Sequence, residues 1–182
     1  KFIKGDICDQ ELVNGLFKKY DIRGVIHFAA ESHVDNSIEN PNIFLETNII
    51  GTSNLLILAK KYSIERFHFV STDEVYGDRL GKTIATEETS LEPSSPYAVS
   101  KASADMLVQS FLRTYSLNIT ISRGSNTYGI RQHGEKFMPT ILRSIQNNIP
   151  IPLYGDGSAK RDWLHVHDHA NAIWNIFLHA EK

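Results

Sequence analysis

The chain has 182 residues, 41% of them hydrophobic and 22% charged, with a net charge of -2 at pH 7. That is enough apolar material for a sizeable core, and too little positive charge for nucleic acid to be an expected partner. No apolar run approaches the ~20 residues that span a bilayer, so no membrane partner is expected; the single cysteine, Cys8, excludes an internal disulfide framework and makes a reducing, cytoplasmic setting the default.

In chain order, Phe2-Ile3 reads as a short strand ending at Gly5-Asp6, so the sequence starts directly on a strand. Asp9 is a helix N-cap, and Leu12, Val13, Leu16, Phe17 and Tyr20 then recur at helical spacing. Val25-Ile26-His27-Phe28-Ala29 is an apolar run suited to a buried parallel strand. After a polar loop, Pro41 opens a long helix through Phe44, Thr47, Asn48, Leu55, Leu56 and Ala59. A strand over 66–71 leads into a loop of about twenty residues, long enough to suggest function. Pro96 begins the next helix, with Val99, Ala102, Met106, Leu107 and Phe111 as its apolar positions. A strand over 118–123, a Gly-containing loop and a helix over 137–146 follow. An extended piece at Ile151-Pro152-Leu153-Tyr154, the turn Gly155-Asp156-Gly157, a strand over 163–166 and a helix over 167–180 complete the pattern.

Strands alternating with helices at this spacing imply parallel pairing and right-handed crossovers. The predicted fold is α/β, an open doubly wound parallel sheet. Ligands bind such sheets beyond the carboxyl ends of the strands, so functional residues belong just after Asp6, Phe28, Ser71 and Arg123.

Two constellations carry chemistry at those places. In Tyr97-Ala98-Val99-Ser100-Lys101, positions i and i+4 share a helix face, so phenol and ammonium point the same way. A nearby cation stabilises a phenolate and lowers its pKa, making Tyr97 a proton acceptor for a hydroxyl losing hydride. Such a pair also arises by chance in many helices; its place after Ser94-Ser95-Pro96 and one strand-loop unit past Ser71-Thr72 gives it weight. In Ser71-Thr72-Asp73-Glu74-Val75-Tyr76-Gly77, a strand end is followed by two adjacent carboxylates, the parts needed for paired acid and base work. His165, His167 and His169 alternate, which would align them on a strand but not on the helix that starts there, so no metal site is expected.

These residues, with Phe28-Ala29-Ala30, Asn48-x-x-Gly51-Thr52-x-Asn54 and Val70-Ser71-Thr72, resemble the extended, nucleotide-sugar branch of the short-chain dehydrogenase/reductase superfamily. Thr72-Asp73-Glu74-Val75-Tyr76-Gly77 is similar to the signature of its hexose 4,6-dehydratases. Ala29-Ala30-Glu31-Ser32-His33-Val34-Asp35 looks like another of their segments. The related epimerases and decarboxylases lack the Asp-Glu pair. Downstream, Arg123-Gly124-Ser125-Asn126-Thr127-Tyr128-Gly129, Glu135-Lys136-Phe137-Met138-Pro139 and the stretch from Pro152 through Arg161-Asp162-Trp163 resemble the family's substrate-side segments. Asn36, Thr127 and Ile130 depart from the usual Arg, Asn and Pro.

The resemblance implies NAD as cofactor and a nucleotide-diphosphate glucose as substrate, with dTDP favoured over UDP, and a homodimer. It implies catalytic roles for Thr72, Asp73, Glu74, Tyr97 and Lys101. Cofactor contacts are implied for Asp6, Ile7, Phe28, Ala29, Ala30, Thr47, Ser71, Tyr97 and Lys101. Substrate contacts are implied for Ser32, Thr72, Asn126, Lys136, Phe137, Pro152, Tyr154 and Arg161. Tyr154 offers a flat face for a pyrimidine, and Arg161 suits a diphosphate bidentately. The alternatives are a UDP-sugar 4-epimerase or decarboxylase on the same scaffold, or a truncated relative that binds nucleotide without catalysis.

No glycine spacing matches the Gly-rich turn that cradles a dinucleotide pyrophosphate. The expectation is a Rossmann-type domain over 1–126 lacking its first strand-turn-helix, followed over 127–182 by the start of a small substrate lobe interleaved with the last Rossmann elements. The chain reads as an internal segment of a longer protein.

Overall fold

The computed structural model describes residues 1–79, 81, 84–153 and 155–180. Three parallel strands, β1 (Gly24–His27), β2 (Arg66–Thr72) and β3 (Ile119–Gly124), form the main sheet in the order β1-β2-β3. Val25 pairs with Phe67, and Phe67 with Ile119, so all three carboxyl ends emerge along one edge.

Alternation along β2 decides what each face packs against. Phe67 and Phe69 turn to one side, where α1 (Gln10–Lys19), α4 (Thr52–Lys61) and α5 (Pro96–Tyr115) supply Val13, Phe17, Leu55, Leu56, Leu58, Ala59, Ala104 and Val108 to the main core. His68 turns to the other, beneath α7 (Val166–His179), and is fully buried with Thr120 and Ser122 hydroxyls on its two nitrogens at 2.8 and 3.0 Å. Phe177 of α7 lies so close to Gly24 that a Cβ there would come within 2.6 Å of the ring. Helices on both faces of a parallel sheet make this the doubly wound α/β arrangement that the alternating pattern predicts.

Several boundaries differ from the sequence reading. Phe2-Ile3 forms no ladder with any described strand; Phe2 is 88% exposed, and without a partner its backbone groups have nothing to hold a strand. The polar loop before Pro41 contains a short helix, α2 (Val34–Glu39), stabilised by the buried Ser37 hydroxyl donating to the Val34 carbonyl at 2.6 Å. The long helix from Pro41 is not uniform. Its first part, α3 (Pro41–Leu45), passes through a π-helical turn at Glu46–Gly51 before α4. A second parallel ladder joins β4 (Asn126–Tyr128) to β5 (Trp163–His165), where a loop was expected at 126–128. α6 (Phe137–Gln146) has the bounds read from its periodicity. The last helix begins one residue early, at Val166, with the His165 ring accepting from the His167 amide at 3.4 Å.

Candidate active site

The sheet edge makes the site. β2 ends at Thr72, still extended at φ -141°, ψ 154°, and the chain turns at once into a 3-10 turn over Asp73–Tyr76. The Thr72 hydroxyl caps that turn, accepting from the Glu74 amide and donating to an Asp73 carboxylate oxygen, both at 3.3 Å. Gly77 closes it at φ +69°, where a Cβ would also collide with the Glu92 carbonyl; only glycine fits. Val75, fully buried, packs with Tyr76 and Ala102 beneath the turn. Asp73 and Glu74 are thereby displayed at the carboxyl end of the central strand.

Opposite stands the first turn of α5. Ser95 caps it by accepting from Ala98 N at 3.1 Å, and Pro96 occupies its first helical position. Tyr97 and Lys101 share the inward face and are 8% and 3% exposed. The Tyr97 amide donates to Ser37 Oγ at 3.1 Å, and the Phe44 ring meets the phenol ring edge-on at 6.3 Å. The π turn delivers Asn48 to the same place. Its carbonyl oxygen accepts from Glu31 N at 2.9 Å, and its amide nitrogen donates to the Glu31 carbonyl and to Ser100 Oγ at 3.0 and 2.8 Å. Ser37, Phe44 and Asn48 thus hold α5 from behind. Sequence reading gave none of them this role, although Asn48 lay within a motif it singled out.

The electrostatics differ from the expected pairing in one respect. Lys101 Nζ does not neutralise the phenol: it donates to the Val70 carbonyl at 2.8 Å and sits 4.2 Å above the Phe69 ring. Burial, with the charges of Glu74 and Asp73 beside it, pushes Tyr97 up to about 12, against a hydrogen bond to Thr72 that favours the phenolate. The phenol is raised here rather than lowered, because it is buried next to two carboxyls. Burial pushes Lys101 down to about 8, with Asp105 pulling it back up.

The two acids are both raised above the usual carboxylate range, chiefly by burial. Asp73 is restrained by the Thr72 hydrogen bond, its own backbone and the charge of Arg161. Glu74 is raised further by Asp73 and restrained by Arg161 and Lys136. Adjacent carboxyls with unequal surroundings are what acid and base roles in one site require.

A cleft of about 270 Å3 runs from Glu74 between Ser32, His33, Lys136, Phe137 and Pro152. It gathers four of the eight residues expected on the substrate side. Lys136 Nζ donates to the Ser32 carbonyl at 2.9 Å across its wall, and Phe137 stacks on Trp163 at 5.7 Å. Thr72 lies behind the cleft at the strand end and Asn126 opens β4 next to β3. Arg161 is exposed, donating to the Lys160 carbonyl at 2.8 Å, while its charge still acts on both acids. Tyr154 lies outside the described residues.

On the expected cofactor side, Phe28 and Ala29 are exposed just past β1, Phe28 by 58%, with half-buried Ala30 beside them. Asp6 accepts from Cys8 N at 2.8 Å, and Asn54 Nδ2 donates to the Ile7 carbonyl at 2.6 Å, so the 6–8 turn is fastened to α4. Thr47 is half-buried within the π turn, and Ser71 is buried beneath the site. Phe28, Ala29 and Ser71 thus lie at the carboxyl ends of β1 and β2, the sheet edge that also carries Asp73 and Glu74. Of the three alternating histidines, two stay together and the third takes a different partner. His169 Nδ1 meets Thr127 Oγ1 at 2.7 Å, while the His165 and His167 rings stack on each other at 5.2 Å. Among the described residues, no three His, Cys, Asp or Glu side chains converge as a metal site.

This geometry has many relatives. The chain is 46% identical over 185 residues to the dTDP-glucose 4,6-dehydratase of Haemophilus influenzae, covering 96% of this chain and 55% of that protein. It is 47% identical over 178 residues to the dTDP-glucose 4,6-dehydratase of Mycobacterium tuberculosis H37Rv, covering 97% and 53%. Among solved structures it superposes on a double mutant of the dTDP-glucose 4,6-dehydratase from Streptomyces venezuelae with NAD bound, with a TM-score of 0.92 and 41% identity over 97% of this chain and 54% of that one. It also superposes on the UDP-glucose 4-epimerase of Thermus thermophilus in complex with NAD, with a TM-score of 0.90 and 30% identity over 97% and 60%. The chain spans about half the length of the curated relatives it matches. The family model for GDP-mannose 4,6 dehydratase matches residues 1–182, and on that end-to-end match the chain belongs to this family.

Proposed function

We propose that this chain carries the catalytic centre of an NAD-dependent dehydratase that converts a nucleotide-diphosphate glucose, dTDP-glucose foremost, to its 4-keto-6-deoxy sugar. The observation that carries the proposal is the pair Asp73-Glu74, raised carboxyls at the end of β2, beside Tyr97 and Lys101. A 4-epimerase needs to take and return hydride at C4 only and has no use for a second acid–base pair, so the pair favours dehydration over epimerisation.

The exposed Phe28 and Ala29, with half-buried Ala30 and Thr47 and the fastened Asp6-Ile7 turn, fit one end and one face of a dinucleotide. Tyr97, Lys101 and Ser71 lie at its reacting end. The Gly-rich turn for the pyrophosphate has no match in these 182 residues. Bound there, NAD supplies the acceptor for a hydride from C4 and the donor of the hydride returned to C6. The remaining steps belong to side chains. Tyr97 takes the 4-hydroxyl proton as hydride departs, with Thr72 donating to the same oxygen and the Lys101 ammonium stabilising the negative charge. The 4-ketone acidifies the C5 proton, which Glu74 removes. Asp73 delivers a proton to the departing 6-hydroxyl and water leaves; as hydride returns to C6, the Glu74 carboxyl, exchanged with solvent, gives a proton back to C5. In the resting site Thr72 donates to Asp73. When Thr72 turns to the substrate oxygen, Asp73 loses a donor to its charged form and becomes the protonated acid.

Residues 1–126 act as the cofactor and catalytic part, and 127–182 as the start of the substrate lobe. Arg161 and Lys136, whose charges reach both acids or Glu74, supply cations for a diphosphate. Tyr154 is assigned to the base on sequence grounds alone. The exposed Ile50, Ile57, Val99 and Met106 on the helices that begin at Pro41 and Pro96 support a homodimer joined through those faces. No described helix is long and apolar enough to cross a membrane, and one cysteine suits a reducing cytoplasm.

The test is made in a form spanning the relatives' length, with dTDP-glucose and UDP-glucose offered in parallel. The 4-keto-6-deoxy product is expected from dTDP-glucose. Glu74→Gln is expected to spare 4-oxidation and abolish solvent-deuterium uptake at C5; normal C5 uptake in that variant refutes the assignment.

A further inference from the structure

The reacting side chains stand on two separate supports. Asp73 and Glu74 ride the 3-10 turn, while Tyr97 and Lys101 ride α5. Proton transfer at C5 and C6 needs the first pair set to within a fraction of an ångström of a sugar already held by the second. The apolar contact of Val75 with Ala102 joins the two supports but tolerates sliding. Apart from Thr72, which lies within the site itself and bonds to Asp73, Glu74 and Tyr97, one residue outside it makes directional contacts with both. Arg123, on β3, donates from Nε to Asp105 Oδ2 at 2.7 Å and from Nη1 to the Tyr76 hydroxyl at 2.8 Å. Asp105 is one helical turn after Lys101 on α5, and Tyr76 is the last residue of the acid-bearing turn.

All three groups are withdrawn from water. Asp105 is fully buried, Tyr76 is 7% exposed and the Arg123 side chain 13%. A buried ion pair adds little to stability over apolar side chains of the same size. What apolar packing cannot supply is a planar fork with fixed bond directions. The Arg123 guanidinium also lies over the Tyr76 ring at 5.3 Å, which fixes the ring as well as its hydroxyl.

Resting on the dehydratase reading above, we infer that Arg123, held by Asp105, is a positioning residue that sets the Asp73-Glu74 turn in register with Tyr97 and Lys101, so that elimination follows oxidation on one bound sugar. Asp105 has a second effect in the same direction: its charge helps Lys101 keep its proton.

Tyr76→Phe removes the hydroxyl that Arg123 holds, yet keeps the ring beneath the guanidinium and against Ala102. Arg123→Lys keeps the charge beside Asp105 and loses the fork. Both are made in a form spanning the relatives' length and followed in single turnover with dTDP-glucose, reading NADH formation, C5 deuterium uptake and final product. Tyr76→Phe is expected to keep 4-oxidation within about threefold and slow elimination about tenfold or more, so that NADH accumulates. Arg123→Lys is expected to shift the partition the same way. A merely structural role would lower both steps together. Equal slowing of the two steps in both variants, or an unchanged partition, overturns the coupling while leaving the parent's chemistry standing. A parent that makes no 4-keto-6-deoxy product from either nucleotide sugar overturns the dehydratase reading, and the coupling falls with it.

Discussion

Two buried histidines make the fold sensitive to mild acid, and the size of the effect can be worked out. Burial, helped by the Lys101 charge, holds His27 down to about 3, and burial, helped by His169, holds His68 down to about 4. Both side chains are hydrogen-bonded while neutral. Thr52 gives its one hydroxyl proton to the Asn48 carbonyl at 2.6 Å, so His27 Nε2, 2.9 Å away, must be the donor to it. In the unfolded chain each histidine titrates near 6.5. Above that pH both states are neutral and the stability is intact. As pH falls below it, the unfolded chain takes up protons that the folded one refuses, and stability is lost until the folded values are reached. At pH 5.5 the loss is about 1.4 kcal/mol for each histidine, or ~3 kcal/mol together. That is a large part of a typical domain's 5–15 kcal/mol. The comparison belongs between pH 7.5 and 5.5. Asp73, Glu74 and Asp105, all raised by burial, bind protons more readily in the folded chain than in the unfolded one, so their protonation adds stability as pH falls and opposes the histidines. Urea denaturation at the two pH values measures the difference directly. His68→Gln is expected to cut the loss by about 1.4 kcal/mol whatever its absolute stability, since it removes one proton site. An undiminished loss in that variant, or no loss in the parent, would falsify this account.

Further outcomes follow from local geometry. Gly51 touches Ile7, where a Cβ would lie 2.5 Å from Cδ1 and 3.2 Å from Cys8 Sγ, whereas Gly15 has nothing within 4 Å. Gly15→Ala is expected to raise stability by about 0.5–1 kcal/mol through helix propensity, and Gly51→Ala to lower it by about 1–2 kcal/mol despite the same propensity gain; thermal denaturation of the pair checks the sign of each. Lys101 loses its proton above about 8, so 4-oxidation in single turnover is expected to fall along an alkaline limb beginning there; a rate still rising two units higher speaks against a role for the ammonium.

The parts of the fold that were legible in sequence are those with local causes. Asp9 caps α1 through Leu12 N, Ser95 and Pro96 start α5, and the apolar spacing of 137–146 gives α6 its bounds. The π turn was not legible because its cause is remote. It turns Asn48 onto partners 17 and 52 residues away, and nothing in the local spacing of the helix records them. β4 is hidden for the same reason: three half-buried residues become a strand only because Trp163–His165 lies alongside. Phe2-Ile3 shows the converse, since strand-like composition makes no strand without a neighbour.

The candidate site divides along the same line. Short spacings exposed Asp73-Glu74 and Tyr97-x-x-x-Lys101, because a turn or a helix face brings their members together. The electrostatic consequence did not follow from spacing. The i to i+4 relation correctly puts Tyr97 and Lys101 on one buried face, but it cannot show that the Lys101 ammonium has a carbonyl of β2 to bond to, or that Glu74 and Asp73 press on the phenol. Tyr97 at about 12 with both carboxyls nearby is a poor base; protonating either acid removes a charge that holds its proton on. Thr72, Asp73, Glu74 and Tyr97 are therefore one coupled set, and the protons on Asp73, Glu74 and Tyr97 are assigned together. The long-range link through Arg123 acts on that set from outside it. Its contacts span 18 and 47 residues, which is why no motif shows it and why its removal is expected to disturb the order of the steps before the fold.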